Sequence, residues 1–366
     1  MSNDKVHDII IAGAGIAGCY MAQKLISAGF NVMVLEKSKK IKDDSGIVSS
    51  RFSKYIPDLK KFLISDITTM KFVSPSGYEF DLKGEKPFAH VIDRIKFLEA
   101  QRKKIRKTLI FETVEDMKIT PENVVIKTDK NSYNGSIILG CDGALSKVRQ
   151  CAGISAPRLY YGIMSREKAK QKQDHITVWV NKNYSSDFFA WNIPQKKEWG
   201  VMAEENPLAC LEAFQKDRGF DMIKPIGAPM PIGATRSYTD RCLLIGDSAG
   251  QTKPLTGGGI VLSLKACKHA IDTIKNAFEK KQFDSDILSQ YETAWQKDFG
   301  EEIRKQLFFR KYYNRLSNDD IDWLFEKFGP KVQNFNITDY DRLSRLWKKV
   351  PKTKLIIFTL KTMIRR

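Results

Sequence analysis

An α/β fold follows from three observations on the 366-residue chain. A β-branched run, Val6 to Ala12, leads directly into Gly13-Ala14-Gly15-Ile16-Ala17-Gly18 and then into a helical pattern over Tyr20 to Ala28. Such a run suits a buried parallel strand, and a glycine turn between strand and helix opens a βαβ unit. Two later strand-to-helix turns repeat the theme: Gly140-Cys141-Asp142-Gly143, and Gly246-Asp247 followed by Gly257-Gly258-Gly259. Between Gly153 and Thr235 the pattern changes. Alternating runs over 176–180, 187–191 and 198–203 read as antiparallel strands.

The first turn carries chemistry. A second strand, Asn31 to Leu35, ends at Glu36, 18 residues after Gly18. Gly13 permits the tight turn, Gly15 lets a pyrophosphate approach the backbone, and Gly18 lets helix and strand pack closely. The helix start, with Ala17 in its first turn, offers free N–H groups and a positive dipole to phosphate. Glu36 can accept ribose hydroxyls and would repel a 2′-phosphate. The unit therefore reads as Rossmann-type and dinucleotide-binding.

Composition excludes several classes. Hydrophobic residues make up 42%, which rules out wholesale disorder. The charge-free stretch near the N-terminus, Ile9 to Ala22, has 14 residues; a spanning helix needs about 18 or more. Six cysteines and four histidines show no CxxC or other ligand spacing, so no metal is expected. Met1 to Asp8 is polar, so no signal peptide is expected and the cytoplasm is the natural setting.

Lys+Arg number 61 against 43 Asp+Glu, a net charge of +18. No nucleic-acid module accompanies it, so no nucleic-acid partner is expected. Eight of those net charges lie in 341–366. There Ile356, Ile357, Leu360, Met363 and Ile364 occupy an arc of about 120° on a helical wheel, opposite Lys354, Lys361 and Arg365. This predicts an interfacial helix on an anionic membrane surface, hence a peripheral protein on the inner membrane face.

The three glycine signals, in this order, resemble the FAD-contacting motifs of the flavin-dependent monooxygenase and reductase superfamily. The architecture implied is similar to p-hydroxybenzoate hydroxylase: a Rossmann-type FAD-binding domain, an inserted antiparallel-sheet substrate domain and a C-terminal helical region. Boundaries are expected at 1–69, 83–152 and 236–285 for the first, 70–82 and 153–235 for the second, and 286–366 for the third. The resemblance implies that Asp142 and Gly143 lie beside FAD and that Asp247 contacts its ribityl chain. Gly257, Gly258, Gly259 and Ile260 would aim N–H groups at the pyrimidine ring and stabilise the reduced anion. Pro254 would stiffen that loop. Arg94, which starts another helix, Lys37 and Val114 complete the expected cofactor set.

In the middle of the chain stands Phe189-Ala190-Trp191-Asn192-Ile193-Pro194. It resembles the aromatic-x-Trp-x-Phe-Pro pattern of the archaeal geranylgeranyl reductases, with Ile193 in place of the second aromatic. Arg310 to Asp322 (RKYYNRLSNDDID) is a second local match. The resemblance implies reduction of isoprenoid C=C bonds in membrane ether lipids, with Phe188, Phe189, Trp191 and Pro194 binding the substrate. Some members carry Cys-Gly where this chain has Ser45-Gly46, so these two are expected as flavin contacts and no catalytic residue is named. The electron donor stays open among ferredoxin, a reduced deazaflavin and NAD(P)H.

Other readings remain. A flavin-dependent halogenase carries Trp-x-Trp-x-Ile-Pro, which Trp191, Ile193 and Pro194 fit and Phe189 does not. An aromatic hydroxylase and a non-catalytic lipid-binding flavoprotein are the others. Ser317 with Asp320 also reads simply as a capping box, with Ile321, Leu324, Phe325 and Phe328 facing inward.

Overall fold

The computed structural model describes residues 6–168, 175–333, 335–342 and 344. The elements begin with β1 (Val6–Ala12), α1 (Ile16–Ser27), β2 (Val32–Leu35), β3 (Ile47–Ser49), β4 (Leu63–Ile67), β5 (Thr69–Val73), β6 (Glu79–Lys83), β7 (Ala89–Ile92) and α2 (Arg94–Lys104). Next come β8 (Leu109–Ile110), β9 (Val114–Ile119), β10 (Val124–Thr128), β11 (Ser132–Gly140), α3 (Lys147–Cys151), β12 (Arg158–Arg166), β13 (Ile176–Trp179), β14 (Ala190–Ile193) and β15 (Glu198–Ala203). The rest are α4 (Pro207–Arg218), β16 (Ile226–Ile232), β17 (Tyr238–Thr239), β18 (Cys242–Leu244), α5 (Ile260–Lys280), α6 (Ser285–Trp295), α7 (Glu301–Tyr313) and α8 (Asn318–Gln333). They divide into two compact units: residues up to 44 with 93–159 and 231–303, and residues 45–92 with 160–230 and 304 onward.

In the first unit, β18, β11, β1, β2 and β8 lie side by side and parallel, with Ile9 opposite Ile137 on one side and Val32 on the other. Strand β1 is central, and Ile9, Ile10 and Ile11 are fully buried. A strand covered on both faces reads as an unbroken apolar run, which is why this one is legible. Strands β9 and β10 add an antiparallel meander to β11. Helix α1 begins at Ile16, four residues before the apolar periodicity does, because extended Gly15 serves as its N-cap.

The second unit holds a seven-stranded sheet in the order β16-β12-β15-β14-β13-β5-β6. Its β12-β15-β14-β13 run is antiparallel, but β13 lies parallel to β5, with Ile176 opposite Met70. The sheet is therefore mixed, where an antiparallel one was expected. A parallel pair needs a long connection, and the whole 93–159 segment supplies it. Strand β14 covers 190–193 rather than 187–191. Ser185 accepts the Phe188 N–H at 2.9 Å, which holds 185–189 as a turn before the strand.

The same unit contains a small β3-β7-β4 sheet, which carries 45–69 and 83–92 with it. Residues 286–303 go with the first unit. There Tyr291 donates to the Leu244 carbonyl and Trp295 Nε1 to Ser237 Oγ, both at 2.9 Å. Helix α8 opens on the Ser317–Asp320 capping box: Ser317 Oγ accepts the Asp320 N–H at 3.2 Å, and Asp320 accepts the Ser317 N–H at 3.1 Å. Ile321 and Phe328 are buried, Leu324 and Phe325 half-buried. The basic amphipathic segment expected over 351–366 lies outside the described residues. Among the described residues no helix is long and apolar enough to cross a membrane, and no group of three His, Cys, Asp or Glu is placed to hold a metal.

Candidate cofactor and substrate sites

The three glycines of the first turn do different work. Gly13 has φ +96°, and a Cβ there would stand 2.4 Å from the Cys141 carbonyl oxygen. A Cβ on Gly18 would stand 1.9 Å from the Gly13 carbonyl oxygen. The chain's own packing therefore demands both. Around Gly15 no described atom beyond its chain neighbours and its own helix backbone lies within 4 Å of the same position. The fold leaves that space open at the start of α1, beside the free N–H groups of the helix's first turn.

The helix starts of this unit point the same way. Asp93 caps α2, Ser146 caps α3 and Asp284 caps α6, each accepting a backbone N–H. Helices α1 and α5 start on Gly15 and Gly259, and among the described residues no side chain caps either one. Their N–H groups and dipoles are left for an anionic ligand. Ile260 is the first residue of α5, and Gly257 N–H is held by the Lys253 carbonyl at 2.8 Å. Pro254 lies in the same loop.

Glu36 is more committed than a ribose acceptor need be. It accepts the Ala14 N–H at 2.8 Å and the Ser38 N–H at 3.0 Å, and pairs with Arg102 at 3.2 Å. Arg102 also donates to the carbonyls of Ala14 at 3.1 Å and Ser38 at 2.9 Å. This arginine fastens the glycine turn to the acid, and sequence reasoning missed it. It lies in the last turn of α2, beyond the part of that helix read from the sequence. Lys37, beside the acid, is exposed, and Val114 packs half-buried against the apolar core.

Asp142 is similarly engaged. Its carboxylate accepts Ser146 Oγ at 2.6 Å and the N–H groups of Lys147 and Val148 at 2.7 and 3.1 Å. Burial lifts this carboxyl above its ordinary range, and those bonds pull it back. The aspartate thus holds the start of α3, and what the turn can offer a ligand is backbone around Gly143. Buried Arg149 donates to the Ser248 carbonyl at 3.0 Å, and Ser248 Oγ donates to the Gly140 carbonyl at 2.5 Å. These two contacts stitch the second and third glycine turns together.

Asp247 is half-buried, and burial raises its carboxyl while the Arg94 guanidinium lowers it and Asp44 raises it further. Arg94 pairs with Asp44, and its Nε is buried with no hydrogen-bond partner among the described residues. A Cβ on Gly259 would lie 3.1 Å from the Asp247 carboxylate. Gly13, Gly15, Ala17, Gly18, Glu36, Arg94, Asp142, Gly143, Asp247 and the 254–260 loop all fall in the first unit. Ser45 and Gly46 fall in the second. There Ser45 Oγ donates to Glu198, and Gly46, at φ +66°, accepts the Ile92 N–H through its carbonyl at 2.9 Å.

The expected substrate residues are less uniform than their adjacency suggests. Phe188 is 1% exposed. The Arg310 guanidinium lies 3.8 Å from its ring centroid, and Tyr160 and Phe189 pack against it. It is a packing residue. Phe189 and Trp191 are half-buried, edge to face at 6.1 Å. Pro194 is buried and opens a short helical turn between β14 and β15. Arg310 donates to the Asp187 carbonyl at 2.6 Å, and Tyr313 donates to the Phe188 carbonyl. Asp322 holds the β5–β6 turn, accepting Ser76 N–H at 2.9 Å and Ser76 Oγ at 2.7 Å. The 310–322 segment therefore clamps two other parts of its own unit.

No family model matches the chain. It is 24% identical over 355 residues to digeranylgeranylglycerophospholipid reductase 2 of Methanothermobacter thermautotrophicus, covering 89% of this chain and 92% of that one. It is 24% identical over 392 residues to digeranylgeranylglycerophospholipid reductase of Methanocaldococcus jannaschii, covering 94% and 96%. Among solved structures, a geranylgeranyl bacteriochlorophyll reductase-like protein from Thermoplasma acidophilum superposes with a TM-score of 0.83 at 16% identity, over 94% and 96% of the two chains. The flavin-dependent halogenase CmlS superposes with 0.67 at 15% identity, over 96% of this chain and 72% of that one. The chain is thus similar over nearly its whole length to archaeal digeranylgeranylglycerophospholipid reductases, and it shares its α/β Rossmann-type fold with the reductase-like protein from Thermoplasma acidophilum.

Proposed function

We propose that the chain is an FAD-dependent oxidoreductase that saturates C=C bonds in the geranylgeranyl chains of membrane ether lipids or their precursors. The observation that carries this reading is the pair of glycine-started helices α1 and α5 without side-chain caps, in a chain of which 89% and 94% align with two named prenyl-lipid reductases. When bound and reduced, FAD supplies a hydride. The α1 start and the open space at Gly15 hold the pyrophosphate. Glu36, held by Arg102, orients the ribose end. The α5 start, with Gly258 and Gly259, places positive dipole where negative charge develops on reduction. Asp247 accepts from the ribityl chain.

In the second unit Phe189 and Trp191 offer half-buried rings to an apolar chain and keep water from it. Trp191→Ala is expected to lower lipid reduction at least tenfold while FAD remains bound; unchanged turnover would remove Trp191 from the site. The reading as a whole is tested anaerobically. The purified protein is reduced with dithionite, a geranylgeranyl lipid is added, and flavin reoxidation is followed with product mass. The expected gain is about two mass units per double bond, one hydride and one proton. Reoxidation by oxygen alone would favour a monooxygenase or halogenase.

The net +8 of residues 341–366 supports docking on an anionic membrane surface. Liposome flotation with and without residues 351–366 checks it, and equal flotation overturns it.

A further inference from the structure

The second unit contains a buried acid that the proposed reaction does not use. Glu198 is 0% exposed. Its Oε1 accepts the Trp191 indole N–H at 3.0 Å and the Ser45 hydroxyl, and its Oε2 pairs with Arg166 at 3.2 Å. A buried acid is costly unless its oxygens are matched by donors, and three donors converge here. Such a set of donors suits a carboxylate, which only accepts.

The strand register explains how the group forms. Trp191 on β14 stands directly opposite Gly200 on β15, and Ile193 opposite Glu198. Opposed residues share a face, and so do residues two apart on one strand. Glu198, Gly200 and Trp191 therefore point to the same side. A Cβ on Gly200 would fall 2.3 Å from the indole six-membered ring. The glycine is the gap in which the ring lies. From that gap the indole N–H reaches the diagonal neighbour, Glu198.

We infer that Glu198 is a positioning residue that acts through Trp191, and the inference rests on the function proposed above. An indole N–H that donates to a carboxylate gains electron density over its ring, and its face attracts a cation more strongly. In the proposed reduction, a solvent-derived proton would add to one alkene carbon and the hydride that reduced FAD would supply would add to the other. The second carbon carries positive character between these two events. A polarised, orientation-locked indole lowers the energy of that positive carbon without charge of its own. Arg166 and Ser45 hold the carboxylate so that it cannot turn away from the indole.

The test uses FAD-loaded protein labelled with 5-fluorotryptophan, with the Trp191 fluorine resonance assigned by its loss in Trp191→Phe. Glu198→Gln keeps an acceptor for the indole but removes the charge. It is expected to shift the Trp191 resonance, whereas Glu205→Gln, at an exposed acid, leaves it in place. In single turnovers with a geranylgeranyl lipid, Glu198→Gln is expected to slow reoxidation about tenfold at saturating lipid, with the half-saturating lipid concentration unchanged. That loss should vanish in a Trp191→Phe background. An unmoved resonance, or an equal loss in the Trp191→Phe background, overturns the inference. If Glu198→Gln does not fold, Glu198→Asp replaces it; it keeps the charge but withdraws it from the indole, and the same two readouts apply. If the lipid fails to reoxidise the wild-type flavin, the proposed function fails, and the fluorine resonance alone then decides whether Glu198 governs Trp191.

Discussion

The two units solve the packing problem with different side chains. Around β1 the core is aliphatic: Ile9, Ile10, Ile11, Val34, Leu35, Ile137 and Ile138 are all buried. Around β13 to β15 it is aromatic. Trp199 stacks on Phe220 at 4.7 Å, Trp179 packs on Phe214 at 5.2 Å, and Arg310 lies on Phe188 at 3.8 Å. Aliphatic strands pack by volume, and their loops stay available for other work. Ring clusters with buried cations need directed contacts, and they draw nearby polar groups into the fold. The first unit leaves the starts of α1 and α5 without side-chain caps, while the second ties Asp187, Phe188 and Glu198 to its own donors.

The largest effect expected from this difference is at Gly13. Alanine there meets both a positive φ and the Cys141 carbonyl, so the first unit should lose roughly 3 kcal/mol or more. A denaturant midpoint unchanged from wild type would break the comparison. Arg310→Met comes next. It removes a charged hydrogen bond to a buried carbonyl and the contact with Phe188, together worth about 3 kcal/mol. Urea unfolding followed by tryptophan emission reads it, and a loss under 1 kcal/mol (roughly the worth of an ordinary single hydrogen bond) would mean the rings hold without their cation.

Gly15→Ala sharpens the contrast within the first unit. The fold has room for the methyl, but alanine is a poorer N-cap than glycine, so stability should fall by only about 1 kcal/mol. FAD affinity should nonetheless fall at least tenfold, about 1.4 kcal/mol. Titration of the apoprotein with FAD checks this, and an unchanged affinity would show that Gly15 does not face the cofactor.

The last effect is a pH dependence at Lys182, which donates to the carbonyls of Ser186 at 2.6 Å and Tyr313 at 2.9 Å. Burial pulls its ammonium down from 10.5 to about 8, against the opposing pull of Asp187. Between those two values the unfolded chain holds a proton that the folded chain has released. Stability therefore rises with pH across that window; below it this lysine works against folding, and above it the penalty is gone. Lys182→Met should flatten the rise, seen by comparing urea midpoints of the two proteins just below pH 8 and near pH 10.

Legibility followed the range of the interactions. Strands β1 and β15 coincide with their apolar runs because one or both faces are buried. The Ser317–Asp320 capping box was readable because both partners lie within one turn. Helix α1 was placed late because its first turn is glycine and small residues, which carry no periodicity. The turn at 185–189 was missed because a single Ser185 hydroxyl overrides a strand-like alternation. Phe188 and Trp191 looked equivalent in sequence, but one is sealed under Arg310 and the other remains half-exposed.

What the sequence determined alone was local: where the glycine turns lie, which runs are buried strands, and that a dinucleotide-type βαβ unit opens the chain. Those features depend on backbone freedom and periodicity among neighbouring residues. Tertiary structure decided the rest. It chose β5 as the parallel partner of β13, Arg102 as the clasp on Glu36, and Glu198 rather than exposed Glu205 as the acid beneath Trp191. Each of those contacts depends on strand register and burial, and no adjacent residue records either.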